Sequence, residues 1–270
     1  MTLHEALKAA ANNIEQREAR LLLSHTTGLS LSKIIINSHQ PLDEPAKGAF
    51  FAAVDRRIAK EPLQYIMGEW EFMGLTMKAD PRALIPRQET ELLVEEALAH
   101  IRKLSPPAKI LDMCTGSGCI AVSIAKLADA TVTAVDISHK SLSLATENAV
   151  LHGLMDKIHF HQGDLFSGLE NQTFDIIISN PPYIPAAEIA ILQPEIHHEP
   201  KTALDGGNDG MDIYRRLVPQ SLGYLAPGGK LLLEIGPPEV ETIMDEAGYE
   251  AIRRINDYAG LPRVLVGNYG

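Results

Sequence analysis

The sequence predicts an α/β protein with a doubly wound, mainly parallel sheet, preceded by a small helical domain. From residue 108 onward, short β-branched apolar segments alternate with segments of helical periodicity. This alternation is typical of parallel strands joined by helices that cover both faces of the sheet. Before residue 64, apolar residues recur only at helical spacing. The two patterns therefore predict two domains.

The first 64 residues predict a helical domain with four helices, around residues 3–10, 14–28, 30–36 and 44–60. Residues 65–68 and 72–77 then predict the two arms of a β-hairpin, which we assign to a linker at residues 65–80. The remaining residues, 81–270, form the predicted α/β domain.

The α/β domain begins with a helix at residues 89–104, which Pro106 and Pro107 end. Strands are then predicted at residues 109–113, 131–135, 158–162, 174–179, 229–235, 249–254 and 263–267, with helices at 118–127, 138–152, 211–224 and 238–247. Residues 192–210 fit no element. A long irregular segment of this kind is more often a functional loop than a spacer.

Composition narrows the class of protein. The 270 residues are 45% hydrophobic, which is enough for a large packed domain and a small one. The formal net charge of −11 argues against broad binding to a nucleic-acid backbone. The two cysteines, Cys114 and Cys119, show no metal-ligand or disulfide spacing. With no signal peptide and no long apolar run, we expect a cytoplasmic protein without metal or membrane contact.

The most informative motif is Asn180-Pro181-Pro182-Tyr183, directly after the predicted strand at residues 174–179. In an open α/β sheet, ligands bind at the carboxyl ends of strands. The prolines withhold backbone donors, so carbonyl groups there stay free to accept hydrogen bonds from a ligand. With the side-chain oxygen of Asn180 and the ring of Tyr183, this turn, which we call the Asn-Pro-Pro-Tyr corner, suits a planar –NH2 group. The alternative is a proline-rich turn that only caps the strand.

A second candidate site is the loop at residues 114–118, between the first strand of the α/β domain and its helix. Gly116 and Gly118 let a ligand approach the backbone closely, and the following helix N-terminus offers free N–H groups. Asp136 ends the next strand, where a carboxylate can accept both hydroxyls of an adenosine ribose. The segment also satisfies the dinucleotide pattern G-x-G-x-x-A. A nicotinamide dehydrogenase therefore fits this segment almost as well as a methyl-donor site.

Residues after the next two strands favour methyl transfer. Asp164 follows the third strand, where it can accept from an adenine amino group, and Leu165 and Phe166 can flank the ring. The Asn-Pro-Pro-Tyr corner follows the fourth strand, and no side chain stands out as a hydride-transfer acid. Each acidic residue alone can equally be a helix cap or a turn residue. Their succession at strand ends favours a single nucleotide-binding cleft.

The chain resembles the release factor glutamine methyltransferase family (the HemK/PrmC type), within the class I S-adenosylmethionine-dependent methyltransferases. The likeness spans nearly the whole chain and rests on motifs at residues 84–94 (LIPRQETELLV), 110–118 (ILDMCTGSG), 133–137 (TAVDI), 163–166 (GDLF), 178–185 (ISNPPYIP), 199–200 (EP), 203–207 (ALDGG), 228–229 (GG), 234–236 (EIG), 257–260 (DYAG) and 263–264 (RV).

The resemblance implies a fold, a reaction and a set of site residues. The fold is a helical substrate-recognition domain, a hairpin linker and a catalytic domain with a seven-stranded sheet, at residues 1–64, 65–80 and 81–270. The reaction transfers a methyl group from S-adenosylmethionine to the side-chain amide nitrogen (N5) of the glutamine in the Gly-Gly-Gln loop of peptide chain release factors. The implied catalytic residues are Asn180, Pro181, Pro182 and Tyr183, and the implied cofactor-binding residues are Cys114, Thr115, Gly116, Ser117, Gly118, Asp136, Asp164, Leu165 and Asn180.

The chain departs from the family pattern in two places. Cys114 stands where the family usually has Gly, and Gln88-Glu89 replaces the usual Pro-Asp. Neither departure touches the Asn-Pro-Pro-Tyr corner. We expect both cysteines to be small buried side chains and not nucleophiles.

The mechanistic hypothesis is that substrate positioning drives the reaction. The side-chain oxygen of Asn180 and the carbonyl of Pro181 each accept one N–H of the substrate amide, while Pro182 and Tyr183 hold its plane. Such positioning supplies much of the rate of a methyl transfer, and no general base is needed.

Three questions stay open at this point. A nucleic-acid methyltransferase acting on adenine N6 or guanine N2 uses the same kind of corner, although no basic, aromatic-rich recognition domain is visible. The other alternative is a cofactor-binding protein without catalytic activity, but cofactor binding alone does not require an intact Asn-Pro-Pro-Tyr motif. The oligomeric state, the residues that dock a release factor, and the roles of Arg87, Glu89 and Glu91 are not predicted.

Overall fold

The computed structural model describes all 270 residues, which pack as two compact units. The smaller unit contains Met1–Glu69 and the separate segment Gln193–His198. The larger unit contains Trp70–Leu192 and Glu199–Gly270.

The smaller unit is helical. Its helices are α1 (Leu3–Ala10), α2 (Gln16–Thr27), α3 (Leu31–Ile36), α4 (Glu44–Ile58) and α5 (Leu63–Met67). Side chains of Thr2, Ser30 and Asp43 cap the first turns of α1, α3 and α4. Leu22 of α2 and Phe50 of α4 are fully buried in the core of this unit.

Helix α5 corrects the predicted start of the hairpin, because residues 65–67 are helical and not extended. Leu63, Tyr65 and Ile66 are all buried, a spacing that suits one face of a helix better than alternate sides of a strand. Gly68 ends the helix with a φ of 75°. The hairpin itself consists of β1 (Glu69–Phe72) and β2 (Leu75–Lys78).

The larger unit confirms the predicted α/β fold with a seven-stranded, mostly parallel sheet. After α6 (Gln88–Ile101), the strands are β3 (Ala108–Met113), β4 (Ala130–Asp136), β5 (Ile158–Gln162), β6 (Phe174–Ser179), β7 (Leu225–Glu234), β8 (Glu250–Asn256) and β9 (Pro262–Asn268). The helices between them are α7 (Cys119–Leu127), α8 (His139–His152), α9 (Ala186–Ile189), α10 (Asp212–Ser221) and α11 (Val240–Ala247). Apolar clusters on both faces of the sheet form the core.

The strand order determines where a ligand can bind. It is β5-β4-β3-β6-β7-β9-β8, and only β9 runs antiparallel to its neighbours. The chain runs outward from β3 through β4 to β5 and then returns to the other side of β3, which makes β3 and β6 the switch point. Met113 pairs with Ser179 across these two strands, so Cys114 and Asn180 leave the sheet side by side.

The segment predicted to be irregular, residues 192–210, contains only two short 3-10 helices, Pro194–His198 and Lys201–Ala203. None of the helices in the protein has both the length and the apolar character that crossing a bilayer requires.

Candidate active site

A cavity of about 460 Å³ lies at the carboxyl ends of the central strands. Every residue that lines it belongs to the larger unit. The structure brings nine predicted site residues to its wall: Cys114, Thr115, Gly116, Ser117, Asp136, Asp164, Leu165, Asn180 and Pro182. Three predicted residues, Gly118, Pro181 and Tyr183, do not line it.

The loop after β3 is built on alternating left-handed residues. Cys114, Gly116 and Gly118 have φ values of 63°, 56° and 78°. A side chain at the first of these positions costs backbone strain, which explains why a glycine suits it better. Burial raises the pKa of the Cys119 thiol to about 12 and also raises that of Cys114, so neither sulfur is an activated nucleophile.

Asp112, the buried carboxylate near the end of β3, holds the loop in place. One of its oxygens accepts from the Thr115 hydroxyl at 2.5 Å and from the Ala121 backbone N–H at 3.1 Å. Burial raises the pKa of Asp112 to about 7, despite these two hydrogen bonds. Sequence analysis did not single out this residue.

Gly118 serves helix packing in this structure. A Cβ at this position would lie 2.8 Å from the Cβ of Ala145 on α8, closer than real Cβ contacts. Its place in the glycine pattern therefore reflects the close approach of α7 and α8.

We expect Gly118→Ala to lower the free energy of unfolding by roughly 2 to 4 kcal/mol, from left-handed strain and overpacking together. Gly153→Ala is the matched control, because Gly153 also has a left-handed φ, of 69°, but nothing lies within 4 Å of its added Cβ. The control should lose only about 1 kcal/mol in the same urea titration. Equal losses in the two variants would contradict the packing role.

Asp136, at the end of β4, is oriented by two backbone donors. Its carboxylate oxygens accept from the N–H of Gly116 at 2.9 Å and from the N–H of Ser138 at 2.8 Å. Burial raises the pKa of this carboxyl group. Each oxygen retains a lone pair for a further donor, as the predicted contact to ribose hydroxyls requires.

The segment after β5 matches the prediction only in part. Asp164 and Leu165 line the cavity, and Asp164 accepts from Arg216 at 2.7 Å. Phe166, which we expected to flank an adenine ring, is instead buried and stacks on Tyr224 with ring centroids 4.5 Å apart. Arg216 also lines the cavity, and no sequence motif had indicated it.

Asn180 is part of a hydrogen-bonded chain that sequence analysis missed. Its Nδ2 donates to Thr90 Oγ1 at 3.1 Å, and that hydroxyl donates to Glu234 Oε2 at 2.6 Å. The Tyr183 hydroxyl donates to the other oxygen of Glu234 at 3.2 Å. Thr90 and Glu234 lie within quoted motifs, and a carboxylate at the end of a buried apolar strand was the available signal.

A third buried carboxylate, Glu199, supports the wall of the cavity. It accepts from the backbone N–H of Ile85 at 3.0 Å and pairs with Arg87, and both of these residues line the cavity. Glu91 accepts from the N–H of Met73 in the hairpin turn at 2.6 Å. Arg87 and Glu91 thus have structural partners within the larger unit.

Two solved methyltransferases share this fold. A methyltransferase from Pyrococcus furiosus matches with a TM-score of 0.54 and 19% identity, over 83% of this chain and 98% of that one. The 16S rRNA N2 G1207 methyltransferase of T. thermophilus, solved with AdoMet and guanosine, matches with a TM-score of 0.57 and 20% identity, over 75% of this chain and 50% of that one. At these identities the likeness concerns the fold. The class, S-adenosylmethionine-dependent methyltransferases, follows instead from the curated relatives, which are release factor glutamine methyltransferases over most of this chain.

Comparison with family models and curated relatives defines the chain further. Residues 3–68 match the PrmC N-terminal domain, and residues 88–208 match the methyltransferase small domain. Release factor glutamine methyltransferases of Geobacter sulfurreducens and Moorella thermoacetica are 43% and 41% identical, over 94% and 98% of this chain and 89% and 98% of theirs. The chain belongs to the release factor glutamine methyltransferase family, which confirms the resemblance seen in the sequence.

Proposed function

We propose that this protein transfers a methyl group from S-adenosylmethionine to the side-chain amide nitrogen (N5) of the glutamine in the Gly-Gly-Gln loop of peptide chain release factors, in a reducing cytosol. The observation that carries the proposal is the Asn180 carboxamide. It lines the cavity and donates through Nδ2 to Thr90, which leaves Oδ1 without a protein donor. A free carboxamide oxygen is the acceptor that an amide –NH2 group requires.

The residues present fit the methyl donor. The cavity has the size of a small-molecule site, and one side carries the left-handed loop and Asp136. We assign the ribose hydroxyls to Asp136 and the adenine side to Asp164 and Leu165. The loop residues Thr115 and Gly116 lie along the remaining wall. When bound, S-adenosylmethionine supplies an electrophilic methyl group on a sulfonium.

The remaining roles belong to this chain's own side chains. Asn180 Oδ1 accepts one N–H of the substrate amide and turns the amide nitrogen toward the donor. Pro182 lines the cavity and restricts the amide plane. Pro181 and Tyr183 do not line the cavity. The substrate contacts predicted for them from the sequence therefore require the substrate loop to extend beyond the cavity wall.

The test is methyl transfer to a purified release factor, followed by mass spectrometry of its tryptic peptides. We expect one added methyl group on the loop glutamine, and none on a release factor whose loop glutamine is replaced by alanine. Parallel reactions contain transfer RNA, ribosomal RNA or DNA as acceptor. Labelling of any nucleic acid without labelling of the release factor would overturn the proposal.

A further inference from the structure

The groups that hold Asn180 form a continuous hydrogen-bond network from the core to the cavity. Glu234, only 1% exposed at the end of β7, accepts from the hydroxyls of Thr90 and Tyr183. Thr90, 2% exposed on α6, accepts in turn from Asn180 Nδ2. The hydrogen-bond network thus joins residues from three separate parts of the sequence.

The number of hydrogens that each group can donate determines the direction of every hydrogen bond in this network. An ionised carboxylate has no hydrogen to give, so Thr90 must donate its only hydroxyl hydrogen to Glu234. Thr90 can then only accept from Asn180, so the atom facing it must be the amino nitrogen. We infer that Glu234, acting through Thr90, holds the Asn180 carboxamide with its oxygen on the cavity side. Thr90 and Glu234 are positioning residues in this inference, which rests on the proposed function.

The orientation matters because the two ends of a carboxamide are nearly equal in shape but opposite in hydrogen bonding. With the oxygen on the cavity side, Asn180 accepts from the substrate –NH2 group. With the carboxamide turned by 180°, two N–H donors face each other and the substrate amide loses its partner. Holding one orientation in advance removes that cost from the reaction.

The charge of Glu234 controls this arrangement. The titratable and charged groups that face it are Glu89 on α6, Cys119 on α7, Tyr183 after β6, Tyr214 on α10 and Arg263 on β9. Burial raises the pKa of Glu234, and Glu89 raises it further. The Thr90 and Tyr183 hydrogen bonds and the charge of Arg263 act in the opposite direction. A protonated Glu234 can donate a hydrogen bond to the Thr90 hydroxyl. Thr90 then donates to the Asn180 side-chain oxygen, which turns that oxygen away from the cavity.

The first test compares Thr90→Val, which keeps the shape of the side chain, with Thr90→Ser, which keeps the hydroxyl. We expect Thr90→Val to lower kcat for the release factor at least about tenfold, while Thr90→Ser stays within about threefold of the wild type. KM for the release factor and Kd for S-adenosylhomocysteine should change little in either variant. Equal kcat values for Thr90→Val and the wild type would overturn the inference.

The second test applies even if Thr90→Val does not fold. Wild-type kcat should fall toward acid pH, with a midpoint above the ordinary range of a glutamic acid. In Glu234→Gln, which carries no titrating carboxyl, this decline should disappear. The same acid decline in both proteins would overturn the inference. A wild-type enzyme that leaves release factors unmethylated would instead overturn the proposed function, and this inference with it.

Discussion

Asn180→Ala is expected to lower kcat by roughly 100- to 1,000-fold, the usual cost of removing one well-placed hydrogen-bond partner from a transition state. The substitution removes the cavity-side oxygen that orients the substrate amide. The nitrogen lone pair of an amide is delocalised into its carbonyl, so an unoriented amide is a poor nucleophile. Single-turnover methyl transfer with saturating methyl donor measures this step directly.

The control for Asn180→Ala is Asn256→Ala. Asn256 ends β8, the edge strand farthest along the sheet from the cavity strands, and it is exposed. We expect wild-type rates from it. Kd for S-adenosylhomocysteine and the melting temperature should stay near wild type for Asn180→Ala as well. An unchanged single-turnover rate in a folded Asn180→Ala protein would remove Asn180 from the mechanism.

Local sequence patterns were sufficient to predict those parts of the structure that depend on neighbouring residues. Strands β5 and β6 were predicted with their observed bounds, because β5 alternates apolar and polar residues, β6 is mainly an apolar β-branched run, and turn residues lie beside each. Placing Asp136 and Asn180 at one cavity also followed from the pattern, since parallel strands present their carboxyl ends at the same edge of a sheet.

The parts that were missed depend on contacts between distant residues. Thr90 and Glu234 lie 144 positions apart, and no periodicity relates them. Phe166 follows Leu165 directly, yet Leu165 has a φ of 52°, which turns the chain so that Phe166 enters the core. Helix α5 has only five residues, too few for an apolar period to distinguish a helix from a strand.

Asp136 carries the second large expected effect, on binding of the methyl donor. Two hydrogen bonds from ribose hydroxyls to a charged acceptor are together worth about 3 kcal/mol or more. We therefore expect Asp136→Asn to raise Kd for S-adenosylhomocysteine roughly 100-fold in calorimetry. In the variant, an amide –NH2 group must also face one of the two backbone N–H donors that now orient the carboxylate. Asp156→Asn, at an exposed position outside the cavity, should bind like the wild type.

The pH dependence of this affinity gives a separate check on the role of Asp136. Because burial raises its pKa, the carboxylate takes up a proton at a less acidic pH than an ordinary aspartate does. The protonated group has lost one acceptor, so Kd for S-adenosylhomocysteine should rise as the pH falls through that pKa. Above it, Kd should be constant. Asp136→Asn cannot take up this proton, so its weaker binding should be flat across the same range. A parallel acid dependence in wild type and variant would assign the titration to another group and leave the ribose contact without support.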